Sequence, residues 1–284
     1  MSKEYRLEII KKIEEYEKKG LFNEDVENDP ATIELKPSDV RYLNTNIFHK
    51  INRDIANKIA ITYIRKLIKN NKLIIDKVIG LENLINLNEG CFLTCNHFNP
   101  FDNFALHEVL YKYVKGRKRR FYKIIREGNY SFKGIYGYFF RNCETLPLSS
   151  NFETMKKFTK SLGTILEGNN IVLIYPEQAM WWNYKKPRPL KPGAYKYAVK
   201  FNKPIVPCFI TMSDSKFTDD DGFNVQKYTI FFDKPIYPNK ELDKKSQSED
   251  LCNRNYEIWK KIYEEFYNCK LTYECEENLW LYTQ

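Results

Sequence analysis

Residues 91–102 read CFLTCNHFNPFD, a short apolar run followed at once by a polar turn. Residues 171–177, IVLIYPE, repeat this arrangement. Short apolar runs bounded by turn residues are typical of strands buried on both faces of a sheet. Strands are predicted at Leu73–Ile79, Cys91–Cys95, Arg120–Ile125, Thr145–Leu148, Ile171–Tyr175, Pro204–Ile210 and Lys227–Phe232, alternating with helices at 103–114, 151–167 and 191–201. This alternation predicts an α/β fold with a central mixed sheet flanked by helices.

Further helices are predicted at both ends of the chain. Residues 3–19 and 48–70 have helical periodicity near the N-terminus, and residues 247–268 have it near the C-terminus. In the middle, the capping-box spacing of Ser150 and Glu153 predicts where helix 151–167 begins. We therefore divide the chain into an N-terminal helix and linker, a main α/β domain and a C-terminal helical extension, at residues 1–45, 46–240 and 241–284.

The predicted helix 48–70 is amphipathic and basic. Apolar residues recur near helical spacing, and the other faces are rich in Lys and Arg: Ile51, Ile55, Ile59, Tyr63 and Leu67 against Lys50, Arg53, Lys58, Arg65, Lys66 and Lys69. Such a helix can lie on an anionic membrane surface. An apolar stripe more often packs on the core of its own domain, and the sequence leaves both interpretations open.

Composition excludes several classes of protein. Of the 284 residues, 43% are hydrophobic and 29% charged, which is typical of a globular protein, and 15% are aromatic, too many for a disordered chain. No apolar run approaches the ~20 residues that span a bilayer. The N-terminus also lacks the apolar core of a signal peptide, so we expect a protein of the cytoplasm.

The whole chain has a net charge of +9, and its positive charge is concentrated in the middle of the sequence. Two basic stretches carry it: Lys112, Lys115, Arg117, Lys118, Arg119, Arg120, Lys123, Arg126 and Lys133, with one acid, Glu127, and then Lys185, Lys186, Arg188, Lys191, Lys196 and Lys200. The surplus favours nucleic acid, an anionic membrane surface or phosphorylated substrates, although a solvated lysine-rich surface is the simplest explanation. No sequence signature of nucleic-acid binding accompanies it, so we predict no nucleic-acid partner.

Seven cysteines stand at positions 91, 95, 143, 208, 252, 269 and 275. Without an export signal they are expected to be reduced thiols that mostly fill the core. Cys91, Cys95, His97 and His107 suggest zinc at first sight, but their spacing matches no paired-ligand pattern. We therefore predict no metal.

Polar residues with catalytic chemistry follow the two central strands. His97 and Asp102 are five residues apart around a turn at Pro100, and Glu177 follows the strand at 171–175. Ligands gather at the carboxyl ends of strands in α/β sheets. An Asp that bonds one imidazole nitrogen fixes the tautomer and leaves the other nitrogen as a general base. The alternative is a helix-capping Asp102 beside a structural His97.

Three segments together resemble the 1-acylglycerol-3-phosphate acyltransferase family. Residues 96–102, NHFNPFD, look like its NH-x4-D motif, residues 175–177 like its aromatic-Pro-Glu-Gly motif, and residues 204–207 like its Pro-bracketed strand. Order and spacing agree over roughly residues 75–235, within an acyltransferase domain at 46–240.

The resemblance implies direct acyl transfer without an acyl-enzyme. His97 would deprotonate an acceptor hydroxyl that attacks the thioester of acyl-CoA or acyl-carrier protein, Asp102 would orient His97, and Glu177 would help position the acceptor. The acceptor would be a lysophospholipid or related lipid, and no cofactor is expected. The protein would work at the cytoplasmic face of an anionic membrane, peripherally attached. The alternative is a non-catalytic basic protein that binds lipid or nucleic acid.

Two arginines of the family's phosphate-binding motifs are replaced, by Ser150 and Met180. Arg126 matches an upstream basic residue of the family, and other candidates for binding the acceptor are Arg141, Lys185, Lys186 and Arg188. Each of these cations is also compatible with ordinary surface charge. The acceptor therefore stays open between lysophosphatidate, another lipid and a glycolipid.

An aromatic cluster, Trp181, Trp182 and Tyr184, follows the Tyr-Pro-Glu segment. These rings are compatible with an acyl tunnel, with a membrane interface or with core packing. The sequence does not distinguish among the three.

Overall fold

The apolar runs of the sequence form one mixed sheet, which confirms the predicted α/β class. The computed structural model describes residues 2–27, 32–116 and 119–274. Arg117, Lys118 and Cys275 lie outside the described residues. The described strands are β1 (Ile74–Ile79), β2 (Cys91–Thr94), β3 (Phe121–Ile125), β4 (Thr145–Pro147), β5 (Ile171–Ile174), β6 (Ile205–Thr218) and β7 (Asn224–Phe232).

Helices flank this sheet and lie at both ends of the chain. They are α1 (Lys3–Lys18), α2 (Ile47–Lys69), α3 (Glu82–Ile85), α4 (Asp102–Gly116), α5 (Glu127–Tyr130), α6 (Gly134–Asn142), α7 (Phe152–Glu167), α8 (Tyr195–Phe201) and α9 (Lys244–Tyr267). Helices α3, α5 and α6 are not predicted from the sequence, because they are too short or too glycine-rich for a clear periodicity.

The predicted start of α7 needs a correction. The residue that caps α7 is Asn151, whose side chain accepts a hydrogen bond from the backbone nitrogen of Thr154 at 3.1 Å. The predicted cap, Ser150, instead donates its backbone N–H to Glu127. Asn and Ser are equally good N-cap residues, so tertiary contacts of Ser150 decide between two adjacent candidates.

The strand order is β1-β7-β6-β2-β5-β3-β4, with β6 and β7 antiparallel and the other neighbours parallel. In this order β2 lies between β6 and β5, near the centre of the sheet. The carboxyl ends of β2, β5, β3 and β4 therefore meet along one edge. The polar segments after β2 and β5 are neighbours there, as the sequence analysis expected.

Hydrophobic cores fill both faces of the sheet. On one face, residues of α2 and α4 such as Leu67 and Leu106 pack on the odd-numbered side chains of β2, including Leu93. On the other face, α7, α8 and α9 cover the sheet, with Phe158 and Leu251 fully buried. The described cysteines are unpaired, and all except Cys269 are buried.

Helix α2 exposes its apolar stripe. Its side chains Ile47, Phe48, Ile51, Ile55 and Ile59 are 41–74% exposed. Only the C-terminal end of the helix, with Ile64 and Leu67, enters the main core. The exposed residues recur every three to four positions, so they form one continuous strip along the helix.

The inner face of α2 makes polar contacts as well as apolar ones where it meets α6 and the start of β4, the apolar ones being those of Ala56 and Ala60. Asn52 donates to Asn142 at 2.6 Å, and Asn57 donates to the buried carboxylate of Glu144 at 2.8 Å. Arg53, itself buried, lies 3.4 Å from the same carboxylate. Burial raises the pKa of Glu144. Hydrogen bonds and one ion pair therefore act together with this apolar packing to orient α2, and the strip of exposed apolar residues faces outward.

In the described residues no helix is long and apolar enough to cross a bilayer. Helix α2 has 23 residues, but charged side chains interrupt its apolar positions throughout.

A glycine at the entrance to β2 is expected to be indispensable. A Cβ at Gly90 would lie 2.0 Å from the backbone oxygen of Leu166. We expect Gly90→Ala to lower the free energy of unfolding by about 1–3 kcal/mol, because one of two packed backbones must move. Urea denaturation measures the effect. Gly193→Ala is the control, since a Cβ there meets no atom within 4 Å; equal losses in both variants would contradict the packing argument.

Candidate active site

The loop after β2 is anchored before it reaches its first catalytic candidate. The buried side chain of Asn96 bonds the backbone of Ile210 on β6 in both directions, accepting from its N–H at 2.8 Å and donating to its carbonyl at 3.0 Å. These two hydrogen bonds take the place of the backbone hydrogen bonds between β2 and β6 at the point where β2 ends. The position of His97, the next residue, is therefore tied to the centre of the sheet.

His97 and Asp102 form the hydrogen-bonded pair that the motif predicts. His97 Nδ1 lies 2.7 Å from Asp102 Oδ2. Asp102, the first residue of α4, is completely buried and also accepts from the backbone N–H of Phe98 at 3.3 Å. The imidazole is 22% exposed, and its Nε2 has no hydrogen-bond partner among the described residues. One ring nitrogen thus faces an accessible surface while the other is held.

Tyr175 completes the surroundings of this pair. Its hydroxyl donates to Asp102 Oδ1 at 2.7 Å, and its ring stacks on the imidazole with centroids 4.0 Å apart. Burial and the adjacent Asp102 carboxylate raise the pKa of Tyr175, so the hydroxyl keeps its proton and stays a donor. Tyr175 belongs to the Tyr-Pro-Glu segment, but its role is not predictable from the sequence, since a Tyr at the end of a strand has no distinctive spacing.

Glu177 and Arg188 form a buried ion pair behind the pair of His97 and Asp102. Their side chains are 2% and 1% exposed, and Arg188 Nη2 lies 2.9 Å from Glu177 Oε2. Glu177 also accepts from the backbone N–H of His97 at 2.9 Å and from that of Arg188 at 2.8 Å. Both oxygens of Glu177 are therefore engaged by the protein itself.

Arg188 bonds backbone carbonyls from three parts of the chain. Its guanidinium donates to Phe22 at 2.9 Å, to His97 at 3.4 Å and to Ala179. Buried arginines need this many partners, because each unpaired N–H would carry a desolvation cost. The structure thus places Arg188 and Glu177 inside the protein, where they hold His97, and not on an open surface beside it.

Arg126 and Arg141, the other two predicted guanidinium groups, lie on the side of β3. Arg126 is 43% exposed, pairs with Asp25 at 2.7 Å and donates to the backbone oxygen of Gln178 at 3.3 Å. Arg141 is exposed, but it donates to the carbonyls of residues 130 and 132 at 2.9 Å. Arg126 is the one that adjoins the loop of Glu177.

Lys185 and Lys186 point away from His97 toward other elements. Lys186 pairs with Glu17 of α1 at 2.6 Å. Lys185 is exposed, with its ammonium 6.0 Å from the ring centre of Tyr267 in α9. Neither lysine contacts His97, Asp102 or Tyr175 in the structure.

The aromatic cluster is part of a core that joins α1 to the loop after β5. Trp181 is fully buried, and its indole N–H donates to the backbone oxygen of Glu24 at 2.9 Å. Trp182 is buried beneath the guanidinium of Arg6, 4.4 Å from the ring centre. Of the three interpretations of this cluster, core packing is therefore the one observed for both Trp side chains.

Gln178 takes a left-handed backbone conformation, with φ = 66°. It occupies the position where the motif of the resembling family has glycine. Left-handed backbone costs a non-glycine residue about 1–2 kcal/mol, so neighbouring contacts must hold it. The backbone N–H of Gln178 donates to Tyr175 at 3.1 Å, and its carbonyl accepts from Arg126.

The arrangement suits general-base chemistry at His97. Asp102 holds Nδ1, so Nε2 is the nitrogen that can take a proton from a bound hydroxyl. No cluster of three or more metal-ligating side chains occurs in the part of the chain that the structure describes.

Comparison with known proteins places this geometry in context. Residues 76–211 match the family model described as Acyltransferase. The fold is similar to the crystal structure of the 1-acyl-sn-glycerophosphate (LPA) acyltransferase PlsC from Thermotoga maritima, with a TM-score of 0.54 and 16% sequence identity. That similarity covers 81% of this chain and 87% of the PlsC chain. A search of curated proteins found no match.

The buried ion pair generates a stability prediction. Arg188→Met should lower the free energy of unfolding by about 3–5 kcal/mol, because it leaves the Glu177 carboxylate buried without its counter-charge. Lys185→Met removes an equal charge from an exposed neighbour and should change stability by less than about 0.5 kcal/mol. Denaturant titration of both variants checks the difference. A mild effect of Arg188→Met would mean that the pair is not the support of the His97 loop.

Proposed function

On the premise that residues 76–211 form an acyltransferase-family domain, we propose that this protein transfers a fatty acyl group from a thioester to the hydroxyl of a lysolipid. The donor is acyl-CoA or acyl-carrier protein. The observation that carries the proposal is the 2.7 Å bond between His97 and the buried Asp102, which leaves Nε2 facing an accessible surface.

The proposed reaction has one chemical step on the enzyme. His97 Nε2 takes the proton of the acceptor hydroxyl while the hydroxyl oxygen attacks the thioester carbonyl. As the new C–O bond forms, the C–S bond breaks, and the departing thiolate takes the proton back from the imidazolium. Asp102 keeps the proton on Nδ1 and stabilises the transient positive charge. Tyr175 acts as a positioning residue, because its hydroxyl occupies the second oxygen of Asp102.

A direct transfer agrees with the residues available. The chain contains no G-x-S-x-G nucleophile elbow that would support an acyl-serine intermediate. Glu177 supports the reaction indirectly, through the backbone N–H of His97 that it accepts. Its proposed role thus changes from positioning the acceptor to positioning the general base.

We further propose peripheral attachment to the cytoplasmic face of an anionic membrane through α2. The exposed strip of α2 continues onto α6, where Ile135 and Tyr136 are also exposed and Tyr136 bonds Tyr63 of α2. Exposed lysines border this surface: Lys50, Lys58, Lys66 and Lys133. Basic side chains near anionic lipid contribute about 1 kcal/mol each, and contiguous apolar patches of this kind mark membrane or protein contacts.

The proposed chemistry predicts a graded series of variants. His97→Ala should reduce turnover by about 10²–10⁴-fold, because the general base is lost. Asp102→Asn should cost a similar factor through the wrong tautomer. Tyr175→Phe keeps the stacked ring and should cost about tenfold, as one hydrogen bond to a carboxylate is removed. Turnover is measured with acyl-CoA and acyl-carrier-protein thioesters over a panel of lysolipids, with products identified by mass spectrometry.

Retained turnover in His97→Ala would contradict the general-base assignment. Absence of any product, with vesicle binding retained, would favour the alternative of a non-catalytic lipid-binding protein. Near-ultraviolet circular dichroism of each variant serves as the control for folding.

Membrane attachment is tested on two equally exposed phenylalanines. Phe48 on α2 is 74% exposed, and Phe152 on α7 is 78% exposed. Phe48→Asp should lower binding to phosphatidylglycerol vesicles about tenfold or more, since it loses apolar burial and adds like charge. Phe152→Asp should leave binding unchanged. Vesicle flotation at low and high salt gives the measurement, and equal behaviour of the two variants would place the membrane contact elsewhere.

A further inference from the structure

A cavity of about 370 Å³ opens at the carboxyl ends of β3 and β4. This volume lies within the range of small-molecule sites. Its lining includes a cation, two carboxylates, an amide, a hydroxyl and an aromatic ring: Arg126, Asp25, Glu127, Asn129, Ser149 and Phe132.

The cavity is connected to His97 by a short series of contacts. Arg126, in its wall, donates to the backbone oxygen of Gln178, and the adjacent Glu177 accepts from the backbone N–H of His97. Only β5 separates β2, which leads to His97, from β3, which leads to Arg126. Neighbouring strands are about 4.8 Å apart, so β2 and β3 are separated by about 10 Å. A lipid head group whose reacting hydroxyl lies at His97 can reach the cavity.

The charges of the lining are unfavourable for a phosphate group. Among the described lining residues the one guanidinium is that of Arg126, and it is already paired with Asp25 at 2.7 Å. Glu127 adds a second carboxylate, which accepts from the backbone N–H groups of Leu35 at 3.3 Å and Ser150 at 3.2 Å. The formal sum over these three side chains is −1.

The same lining suits hydroxyl groups. A hydroxyl both donates and accepts, so it can donate to Asp25 and accept from the amide of Asn129. The Asn129 side chain makes no hydrogen bond to other described residues and is available for a ligand. The exposed ring of Phe132 offers an apolar surface for the C–H face of a sugar.

We propose that this cavity binds an uncharged, polyhydroxylated head group, so that the acceptor is a glycolipid and not a phosphate monoester. The inference rests on the proposed acyl transfer and specifies its acceptor class. Asp25 is the residue that determines specificity: its carboxylate pairs with Arg126, accepts sugar hydroxyls and repels phosphate. If the acceptor were instead a phosphate monoester, its phosphate would have to displace Asp25 from Arg126.

The experiment compares two acceptors that share one acyl chain, monoacyl glycosylglycerol and lysophosphatidate. The wild-type protein should favour the glycolipid in kcat/KM by about tenfold or more, given the energy of one close charge pair. Asp25→Asn should shift that ratio toward lysophosphatidate by a similar factor. Glu24→Gln removes the same charge from an exposed neighbour outside the cavity and should leave the ratio unchanged.

A binding measurement separates this inference from the proposed function. Saturation-transfer NMR with octyl glucoside and octyl phosphate, each below its micelle concentration, reports the cavity without any acyl donor. Glucoside binding that weakens in Asn129→Ala supports the site even when no transfer is detected, in which case only the proposed acyl transfer fails. Preferential binding or acylation of the phosphate compound by the wild-type protein would overturn the inference, and so would failure of both probes to bind.

Discussion

A buried ion pair between Glu177 and Arg188 holds the site together. Transferring both charges out of water costs several kcal/mol per ion, and the structure offsets this cost with hydrogen bonds to backbone groups of His97, Ala179 and Phe22. The pair thereby joins the loop after β2, the loop after β5 and the N-terminal segment. His97 is held from behind at its N–H and its carbonyl, and from the side by Asp102 and Tyr175. Because its backbone, Nδ1 and one ring face are all held, His97 can present Nε2 to a substrate in one orientation.

A second constraint acts on α2, which has an exposed apolar strip although its inner face makes both apolar and polar contacts. Asn52, Arg53 and Asn57 face inward because Asn142 and Glu144 offer matching partners. Those partners need not exist for an amphipathic helix in general, since apolar packing alone would turn the isoleucines toward the core. The polar contacts therefore add to the packing of Ala56 and Ala60 in determining which face of α2 the protein presents. The orientation of α2 and the site at the sheet edge both involve polar groups that are satisfied inside the protein.

Much of the fold could be predicted from the sequence, because strand runs and helical periodicity are local. The pairing of His97 with Asp102 was predictable as well, since five residues and one turn bring them together. The direction in which α2 faces was not, because periodicity defines a stripe but not the surface that receives it. The burial of Arg188 was also missed: an Arg beside two lysines is typical of surface charge, and its partner at Phe22 lies 166 positions away. Tyr175 acquires its position from a contact that exists only in the folded sheet.

The long sequence separation of these contacts has a kinetic consequence. Glu177 reaches His97 across 80 positions, and Arg188 reaches Phe22 across 166. Contacts between residues so far apart in the sequence form late in folding. A large part of the chain must be ordered before such contacts can contribute favourable free energy. During synthesis His97 and Asp102 leave the ribosome long before Glu177 and Arg188 do. The imidazole and its carboxylate can meet early, but the loop that carries them gains its final support only when the segment with Glu177 and Arg188 has packed against it and against Phe22, beyond the end of α1.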